Sequence, residues 1–527
     1  MSVHVSNIKV GICEDQSKCY DRALKELNVN RARIKDQYVV KRSIDARKKD
    51  NIYFVYTIGF KVENEHEILA SNNVKLVTRE ANQFVVGKQQ LKTRPVVIGF
   101  GPAGMFCALY LARLGYKPIV IERGSAVEKR VSAVEKFQTN GILDENSNIQ
   151  FGEGGAGTFS DGKLTTRIND KRCDAVLNDF VKAGAPYEIL LLAKPHIGTD
   201  NLRLVVKNIR DEILSLGGQI LFDTVVTGFG LNNGKITSVK TDKMEYTTSQ
   251  VILAIGHSAR DTFKELYNLG VEMQVKPFSV GARIEHLQSD IDKALYGDYA
   301  GHPSLPKGEY QLSWRDSNGR AAYTFCMCPG GVVVPAASSA KTIVTNGMSY
   351  YMRDRENANS ALVVSVDSRD FGENPMDAIA FQTAIESRAY ELTGSYSAPA
   401  QTVGNFLEGN GGLGQTRITP SYSLGVKGSN FAELFPSVII DYMKSGLRIM
   451  GQKQKGFDSA EAILTAPETR TSSPIRIIRD SDSLQSINVE GLYPCGEGSG
   501  YAGGIMSAAV DGIRVAEKII ETFKPID

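Results

Sequence analysis

The chain has 527 residues, of which 42% are apolar and 23% charged, and its formal net charge is +2. At roughly 150 residues per domain this length predicts two or three globular domains, and the balanced charge excludes a general attraction to nucleic acid or anionic membranes. The N-terminal residues lack the basic start and apolar centre of a signal peptide, and the seven cysteines form no disulfide framework, so we expect a cytoplasmic protein.

Residues 1–90 form the first predicted unit, a small α+β domain. SNIKVGI and NIYFVYTIGFKV have the apolar character of strands, and residues 17–27 carry apolar side chains at helical spacing. Lys and Arg exceed Asp and Glu here, with a dense basic run, KRSIDARKK, at 41–49. Such a run attracts phosphates, but Asp45 and Asp50 and the lack of interleaved aromatic residues also suit a solvated charged strand.

Three further units follow in the predicted chain order. Residues 91–270 alternate strands with helices, as in a parallel sheet with crossover helices: PVVIGF, KPIVIE, GQILFDTVVTGF and QVILAIG are the strands. Residues 271–470 lose this alternation, and helices are predicted at 378–392 and 459–464. The strand-then-helix pattern returns at 471–527, so we predict that one domain is inserted into another.

The segment VVIGFGPAGM at 96–105 predicts a dinucleotide site. Its glycines have GxGxxG spacing after an apolar strand and at the start of a helix, whose free N–H groups can hold a pyrophosphate. The first glycine suits the turn, the second a close approach to the ligand and the third helix packing. An acid at the end of the next strand suits the ribose hydroxyls. The candidate contacts are Gly99, Gly101, Pro102, Ala103, Gly104, Glu122 and Arg123.

A second GxGxxG spacing, GNGGLG at 409–414, lacks this context. No apolar strand precedes it, and the residues that follow include Pro420 and do not begin a helix. We predict a loop there. The chain then has one dinucleotide fingerprint, whereas reductases with separate FAD and NAD domains usually have two.

The C-terminal segment GLYPCGEGSGYAGGIMSAAVDGIRVAE indicates which dinucleotide is bound. It resembles the FAD-binding fold of the glutathione-reductase type, where a late strand ends in Gly and an acid and the next helix directs its N-terminus at the flavin. The usual acid is Asp, and the alternative is that these glycines only permit close helix packing. The resemblance places these residues at FAD: Gly496, Glu497, Ala502, Gly503, Gly504 and Ile505.

A third glycine-rich segment, NIQFGEGGAGTFSDGKLTTR, follows the second predicted strand and its helix. In this fold that region passes over the pyrophosphate and flavin, where bare backbone can approach the cofactor. A mobile surface loop is the alternative. The candidate contacts are Gly154, Gly155, Ala156, Gly157 and Ser160.

With these segments, the chain resembles the bacterial FAD-dependent dehydrogenases usually described as uncharacterised NAD(FAD)-utilising dehydrogenases. The likeness includes FGEGGAGTFSDGKL, CMCPGG, APAQ, PETRTSSPIRI and GEGSGYAGGIMSAAVDG. It implies an α/β fold in which a Rossmann-like FAD/NAD(P)-binding domain holds noncovalent FAD and carries an inserted mixed α+β substrate domain. It also implies an oxidoreductase role and cofactor contacts at Val225, Val226 and Gly256.

Candidate catalytic residues must lie where the inserted domain faces the cofactor, because FAD carries the electron chemistry. ETRTSSPIRI offers Arg470 and Ser473 for an anionic substrate or the flavin edge, or else a loop held by local hydrogen bonds. Strand alternation places Arg283 and Glu285 on one face, as a substrate site or a structural ion pair. His257 is a candidate acid, or a hydrogen-bonded histidine without a catalytic role.

Cys326 and Cys328 share a strand face in FCMCPGG. A disulfide between residues so close in sequence would be strained, and neither a CxxC motif nor further zinc ligands accompany them. Buried free thiols are one interpretation, and a redox or substrate-lining role of the two is the other, with Cys328 as the candidate catalytic residue. No metal site is predicted.

We therefore expect an FAD-dependent oxidoreductase that transfers hydride between FAD and an organic small-molecule substrate. NAD(P)H, if it is the electron donor, would dock transiently, since a second fingerprint is lacking. One rival is a flavoprotein that acts on RNA through its basic N-terminal domain, as in tRNA modification, and the other is a partner-binding protein that keeps FAD as a structural element. Nucleic acid and membrane are not expected partners.

Overall fold

The computed structural model describes residues 2–63, 68, 73–77 and 84–526. The N-terminal region is an antiparallel sheet of β1 (Ser2–Gly11), β2 (Ile34–Asp45), β3 (Tyr53–Val62) and β4 (Val74–Val77). Its strand order is β2-β3-β1-β4, and α1 (Lys18–Leu27) covers it and buries Cys19, Ala23 and Leu27. Of the predicted 1–90 unit, residues 1, 64–67, 69–72 and 78–83 lie outside the described residues.

The next part of the chain alternates short strands and helices. Its elements are β5 (Gln89–Gln90), β6 (Val96–Ile98), α2 (Pro102–Arg113), β7 (Ile119–Ile121), α3 (Val127–Asn140), α4 (Arg172–Lys182), α5 (Thr199–Ser215), β8 (Gln219–Leu221), β9 (Val226–Asn232), β10 (Lys235–Thr241), β11 (Glu245–Thr247), β12 (Val251–Leu253) and α6 (Arg260–Asn268). Strands β9 to β11 form a small antiparallel sheet in the order β11-β10-β9.

The middle of the chain is richer in long strands. Its elements are β13 (Met273–Val275), β14 (Phe278–Leu287), α7 (Gln288–Tyr296), β15 (Ser313–Arg315), β16 (Ala321–Cys328), β17 (Val332–Pro335), β18 (Thr345–Met348), β19 (Asn357–Val366), α8 (Ser368–Phe371), α9 (Pro375–Thr393), β20 (Ala398–Thr402), α10 (Val403–Glu408), β21 (Val426–Gly428), α11 (Ser437–Lys453) and β22 (Ile463–Glu468). The C-terminal elements are β23 (Ile475–Ile477), β24 (Leu492–Pro494), α12 (Ile505–Thr522) and β25 (Phe523–Lys524).

A five-stranded parallel sheet in the order β24-β12-β6-β7-β8 is the frame of the molecule. The residues of β6, β12 and β24 are all buried, which explains their continuous apolar sequences. The chain leaves this sheet after β12 and returns to it at β24, so the N-terminal glycine-rich turn and the C-terminal helix come together. The protein is a mixed α/β protein.

Glycines allow the helices to pack closely against this sheet. A Cβ at Gly104 on α2 would overlap the carbonyl oxygen of Gly99, and a Cβ at Gly512 on α12 would overlap that of Ala103. Helix α2 is therefore held between the turn after β6 and helix α12, and ten of its residues are buried.

A seven-stranded sheet in the order β15-β16-β19-β14-β22-β20-β21 forms the core of the middle region. Helix α9 covers the residues predicted as a helix at 378–392. The helix predicted at 459–464 is wrong: β22 begins at Ile463 and pairs with both β14 and β20, which satisfies its backbone groups. Residues 410–425 contain no helix or strand, which confirms the loop at GNGGLG. Within the described residues, no helix is long and apolar enough to cross a membrane.

Candidate functional site

A large cleft opens at the carboxyl ends of β6, β7 and β12, where parallel sheets commonly bind ligands. Residues of the five-stranded sheet line one side and residues of the seven-stranded sheet the other, and the starts of α2 and α12 both face it. Its volume is about 1550 Å³, whereas an ordinary small-molecule pocket has roughly 300–1,000 Å³. The cleft therefore has room for a dinucleotide together with a second molecule.

The turn between β6 and α2 has the geometry that its glycines require. Gly99 has a φ of 95°, and a Cβ there would overlap the carbonyl oxygen of Ala254 on the neighbouring strand. Gly99, Gly101, Pro102 and Ala103 line the cleft, whereas Gly104 lies below it in the contact between helix and strand. Helix α2 begins at Pro102 without a side-chain cap, which leaves its first N–H groups available to an anion.

Glu122 is buried at the edge of the cleft and ties three segments together. Its carboxylate accepts hydrogen bonds from the backbone N–H groups of Phe100 at 2.7 Å, Gly124 at 2.9 Å and Gly152 at 2.9 Å. A carboxylate has about four lone-pair sites, so these three bonds leave capacity for a ribose hydroxyl. Glu122 thus stabilises the wall of the cleft, besides the ribose contact that we expect of it.

Arg123 follows Glu122 and also lines the cleft. Its guanidinium donates to Asp261 at 2.8 Å and lies over the ring of Phe151, 4.4 Å from the ring centroid. These two contacts hold the Arg123 side chain along the wall of the cleft.

The free space in front of the cleft-lining glycines shows whether an elongated cofactor fits this site. A Cβ built at Gly256, Gly503 or Gly504 meets no described atom within 4 Å, and one at Gly101 comes only to 3.7 Å of Gly155. All four glycines line the cleft, so side chains here would fill space that bare backbone leaves to a ligand. These residues fit FAD, because its length requires close backbone approach at several separate points.

The segment from 151 to 163 packs against both glycine-rich turns. The N–H of Gly154 donates to the carbonyl of Phe100 at 2.8 Å, and a Cβ at Gly157 would lie 3.1 Å from Ile505. Gly155, Ala156, Gly157 and Ser160 line the cleft, and Gly154 does not. The fully buried guanidinium of Arg130 donates to the carbonyls of Asn148, Ile149 and Glu153 and so anchors the start of this segment, a role that sequence reasoning missed.

Some of the remaining cofactor candidates line the cleft, and the others lie in the layer of residues behind its surface. Val226 lines the cleft, but Val225 does not. The backbone N–H of Val225 donates to Asp242 at 2.9 Å. Ala502, Gly503, Gly504 and Ile505 line the cleft at the start of α12. Gly496 lies behind them with a φ of 75°, and its N–H donates to Asp511 at 2.8 Å.

Glu497 lines the cleft, and the charge of Lys276, a residue that sequence reasoning missed, acts on it. Burial raises the pKa of Glu497 to about 7, against this opposing charge. Burial likewise lowers the pKa of Lys276. The segment between β24 and α12 therefore brings to the cleft a carboxyl group that can exchange a proton near neutral pH.

Two of the six catalytic candidates, His257 and Arg470, line the cleft. Arg470 donates to Ser258 at 2.9 Å, and the Ser258 hydroxyl lies 2.8 Å from Nδ1 of His257. Burial, with the charges of Arg470 and Arg260, lowers the pKa of His257 to about 3. A neutral imidazole with so low a pKa cannot supply the proton expected of a catalytic acid, so the structure favours the alternative of a hydrogen-bonded histidine.

Arg283, Glu285, Cys328 and Ser473 do not line the cleft but lie in the wall behind it. Arg283 pairs with Glu468 at 3.7 Å, not with Glu285 as strand alternation suggested.

Separate hydrogen bonds hold the other two side chains in this wall. Glu285 accepts from Asn357 at 3.0 Å and from the N–H of Ser421 at 3.1 Å. Ser473 donates to the carbonyl of Gly498 at 2.9 Å. The structure thus gives Glu285 and Ser473 structural partners and does not bring them to the cleft.

Lys163, Cys326 and Glu468 line the cleft and were not among the candidates. Burial raises the pKa of Glu468 to about 7, against the charge of Arg283. Lys163 stands in FSDGKL and Glu468 in PETRT. Their position in these segments, which carry the family resemblance, was the only sequence signal for a functional role. Among the described residues, no group of three or more His, Cys, Asp or Glu side chains is arranged to hold a metal ion.

Two family descriptions match parts of the chain. Residues 277–471 match the family "FAD-dependent protein, C-terminal domain-like", and residues 2–61 match "Domain of unknown function (DUF8436)". The first match confirms FAD as the predicted cofactor, and with the cleft it defines a flavoprotein.

One relative is similar over the full length. An uncharacterised protein of Clostridium beijerinckii (strain ATCC 51743 / NCIMB 8052) is 47% identical over 530 residues, which cover 99% of each chain. The chain belongs to the same family as that protein.

Solved structures show weaker likeness. CtdE in complex with FAD is 12% identical, with 81% of this chain and 83% of that chain covered and a TM-score of 0.32. Glycine oxidase from Bacillus cereus ATCC 14579 is 13% identical, with 82% and 99% covered and a TM-score of 0.30. At these TM-scores the likenesses carry no argument about function.

Proposed function

We propose that the protein is an FAD-dependent oxidoreductase that transfers hydride between noncovalently bound FAD and an organic small molecule held in the cleft. The observation that carries this proposal is the bare backbone of Gly101, Gly256, Gly503 and Gly504, which faces open space along one continuous cleft. The glycines come from three remote parts of the chain, so their meeting around one cavity has no simple packing explanation.

The residues of this chain would share the work as follows. The first N–H groups of α2 would hold the pyrophosphate, and Glu122 would accept from the ribose. The N-terminus of α12 would offer its partial positive charge to the flavin ring, and Glu497 would lie near the ribityl chain. When bound, FAD supplies two-electron redox chemistry.

The opposite side of the cleft supports a substrate site. Lys163, Cys326, Glu468 and Arg470 line this side and include both charges and a thiol. We assign the inserted residues 271–470 as the substrate domain, and 91–270 with 471–527 as the FAD domain. A nicotinamide donor would dock in the remaining volume, since the described residues hold one dinucleotide turn of the required form.

The basic run of the N-terminal domain gives little support to an RNA-binding function. Asp45 accepts a bidentate hydrogen bond from Arg47, with distances of 2.8 and 2.7 Å, and lies 3.6 Å from Lys9. Arg42 lies over the ring of Phe54, 5.4 Å from the ring centroid. Part of the positive charge is thus neutralised or stacked, and we propose that nucleic acid is not a partner.

The absorption spectrum of the purified protein tests the proposal, followed by anaerobic reduction with NADH or NADPH. The variant Gly503→Ala adds a methyl group to open space in the cleft and should weaken FAD binding by about tenfold or more, equivalent to about 1.4 kcal/mol. Gly228→Ala is the matched control, because its Cβ would meet Glu265 at an ordinary 3.4 Å outside the cleft. A colourless protein that takes up no flavin, or equal FAD affinity in both variants, would contradict the proposal.

A further inference from the structure

Cys326 stands at an irregular point in the wall of the cleft. The pairing of β16 with β19 shifts by one residue between Phe325 and Cys328, which is a β-bulge. Cys326 has a φ of 45°, in the left-handed region that non-glycine residues rarely adopt. A bulge redirects a side chain, and strain of about 1–3 kcal/mol at such a residue is typical of functional sites. Here the bulge brings a half-buried cysteine to the cleft.

Cys328 lies directly behind Cys326 and is fully buried. Its thiol donates to the carbonyl oxygen of Cys326 at 3.4 Å. Nη2 of Arg283 lies 3.7 Å from the Cys328 sulfur, and Nζ of Lys163 donates to the carbonyl of Met327 between the two cysteines. Two cations thus lie beside this segment: Lys163, whose ammonium also pairs with Asp161 at 2.8 Å, on the cleft side, and Arg283 on the interior side.

Part of the charge of Arg283 remains available in this wall. Its Nη1 and the Oε2 of Glu468 are buried and have no hydrogen-bond partner among the described residues. The 3.7 Å separation of this ion pair is too long for a hydrogen bond. Arg283 can therefore stabilise a negative charge on the adjacent sulfur as well as on Glu468.

The surroundings of the two thiols shift their pKa values in opposite directions. The interaction with Cys328, together with the charges of Lys163 and Arg283, lowers the pKa of Cys326 against the effect of burial. The same interaction raises the pKa of Cys328. These directions favour a thiolate, which is the reactive form of cysteine, at the cleft-lining Cys326 and a protonated thiol at Cys328 behind it.

We propose that Cys326 and Cys328 are a dithiol–disulfide redox pair that reduces a disulfide-containing molecule in the cleft. The Cys326 thiolate attacks one sulfur of R–S–S–R, so a Cys326–S–S–R bond forms and one R–S⁻ leaves. Cys328 then loses its proton to solvent and attacks the Cys326 sulfur, which closes the intramolecular disulfide and releases the second R–S⁻. The substrate gains two electrons and the pair loses two; its return to the dithiol by reduced FAD rests on the proposed function.

The short ring makes one direction of this cycle easier than the other. A disulfide between residues two apart in an extended strand is strained, and strained disulfides are the easily reduced ones. Strain therefore favours the return of the pair to the dithiol and opposes its closure, so the substrate must be a disulfide that is itself easily reduced. The bulge at Cys326 departs from the extended geometry. The pair is thus suited to open and close, where a structural disulfide would remain closed.

The test uses the holoprotein with Cys13→Ser and Cys173→Ser, which removes the cysteines outside the pair that are not fully buried. The probe is 5,5′-dithiobis(2-nitrobenzoate). We expect two thiolate leaving groups per chain and a product two hydrogens lighter, with the new disulfide mapped to 326 and 328. Adding Cys328→Ser should give one leaving group and a stable mixed disulfide, and adding Cys326→Ser should abolish the rapid reaction. One leaving group with a stable mixed disulfide in the parent would overturn the pair.

A second measurement tests the role of Lys163. The rate of alkylation of Cys326 by iodoacetamide at pH 6 should fall by about tenfold or more in Lys163→Met and recover in Lys163→Arg, because the thiolate loses and regains its cation. Lys194→Met is the matched control, since Lys194 lines the same cleft and has a carboxylate partner, Glu309 at 2.7 Å, as Lys163 has Asp161 at 2.8 Å. Equal rates in Lys163→Met and Lys194→Met would overturn this assignment.

The flavin spectrum is recorded on the same samples, so the two proposals fail separately. A colourless protein with intact thiol chemistry would contradict FAD binding alone, and a yellow protein without the disulfide would contradict the redox pair alone.

Discussion

Arg470 donates to both carboxylate oxygens of Glu386, with Nε–Oε1 and Nη2–Oε2 distances of 3.1 Å each. Arg260 donates to the same two oxygens at 2.9 Å each. Glu386 is fully buried on α9 of the middle region, while Arg260 opens α6 beside the five-stranded sheet. One carboxylate therefore joins the two sides of the cleft and is the shared counterion of the buried Arg470 and the partly buried Arg260.

Replacement of Glu386 by Ala should destabilise the protein by about 3–5 kcal/mol, because it leaves buried charges without a counterion. The measurement is the free energy of unfolding in urea. Glu461→Ala is the control, since it breaks the more exposed pair with Arg417 and should cost about 1 kcal/mol or less. Equal losses in the two variants would show that Glu386 is not a structural link.

Because His257 is neutral in the folded protein, we predict that the protein loses stability in acid. Its pKa lies near 3 in the folded protein against 6.5 without the fold, so only the unfolded chain takes up a proton between these values. The contribution is present above pH 6.5 and is lost as the pH falls towards 3, by at most roughly 4–5 kcal/mol for a shift of this size. His257→Gln should make the free energy of unfolding less dependent on pH over this range. A parallel pH dependence in wild type and variant would contradict the assigned pKa.

Gly104→Ala should destabilise the protein by about 1–3 kcal/mol, because the methyl group would overlap the carbonyl of Gly99 and displace α2. The FAD affinity should fall with it, since the helix start moves. Gly414→Ala is the control at the same position of the second GxGxxG, where the Cβ would lie 3.2 Å from the hydroxyl of Thr402. Thermal unfolding and flavin titration of both variants give the comparison; a greater loss in Gly414→Ala would reverse the argument.

Glu122→Gln should cost about 1–3 kcal/mol, because the amide nitrogen cannot accept the hydrogen bonds that one carboxylate oxygen now receives. Glu128→Gln is the control, since the Glu128 side chain is 53% exposed. Urea unfolding without added FAD separates this structural effect from any loss of ligand contact. An unchanged unfolding free energy would mean that these backbone bonds are replaced by water.

The turn at Gly99 and Gly104 was predictable because its requirements are local: a glycine where φ is positive and another where helix and strand meet. Glu122 was placed at the cleft by its spacing alone. Its three backbone partners were not predictable, since they depend on how the segment at 152 folds back.

Long-range pairing accounts for most of what sequence reasoning missed. Strand alternation put Arg283 beside Glu285, but its ion-pair partner Glu468 is far along the chain and arrives through β22. The same strand was taken for a helix because a short apolar run does not distinguish the two. The bulge at Cys326 has no signature in FCMCPGG, so a regular strand placed both cysteines on one face, whereas only Cys326 lines the cleft and Cys328 is buried.

The strand order of the central sheet has a consequence for biosynthesis. Because β24 and the start of α12 complete the cleft, a ribosome must release more than nine-tenths of the polypeptide before the cavity can close around any cofactor. Until then the apolar faces of α2 and β12 lack their final cover, so the nascent chain should depend on chaperones and be prone to aggregation.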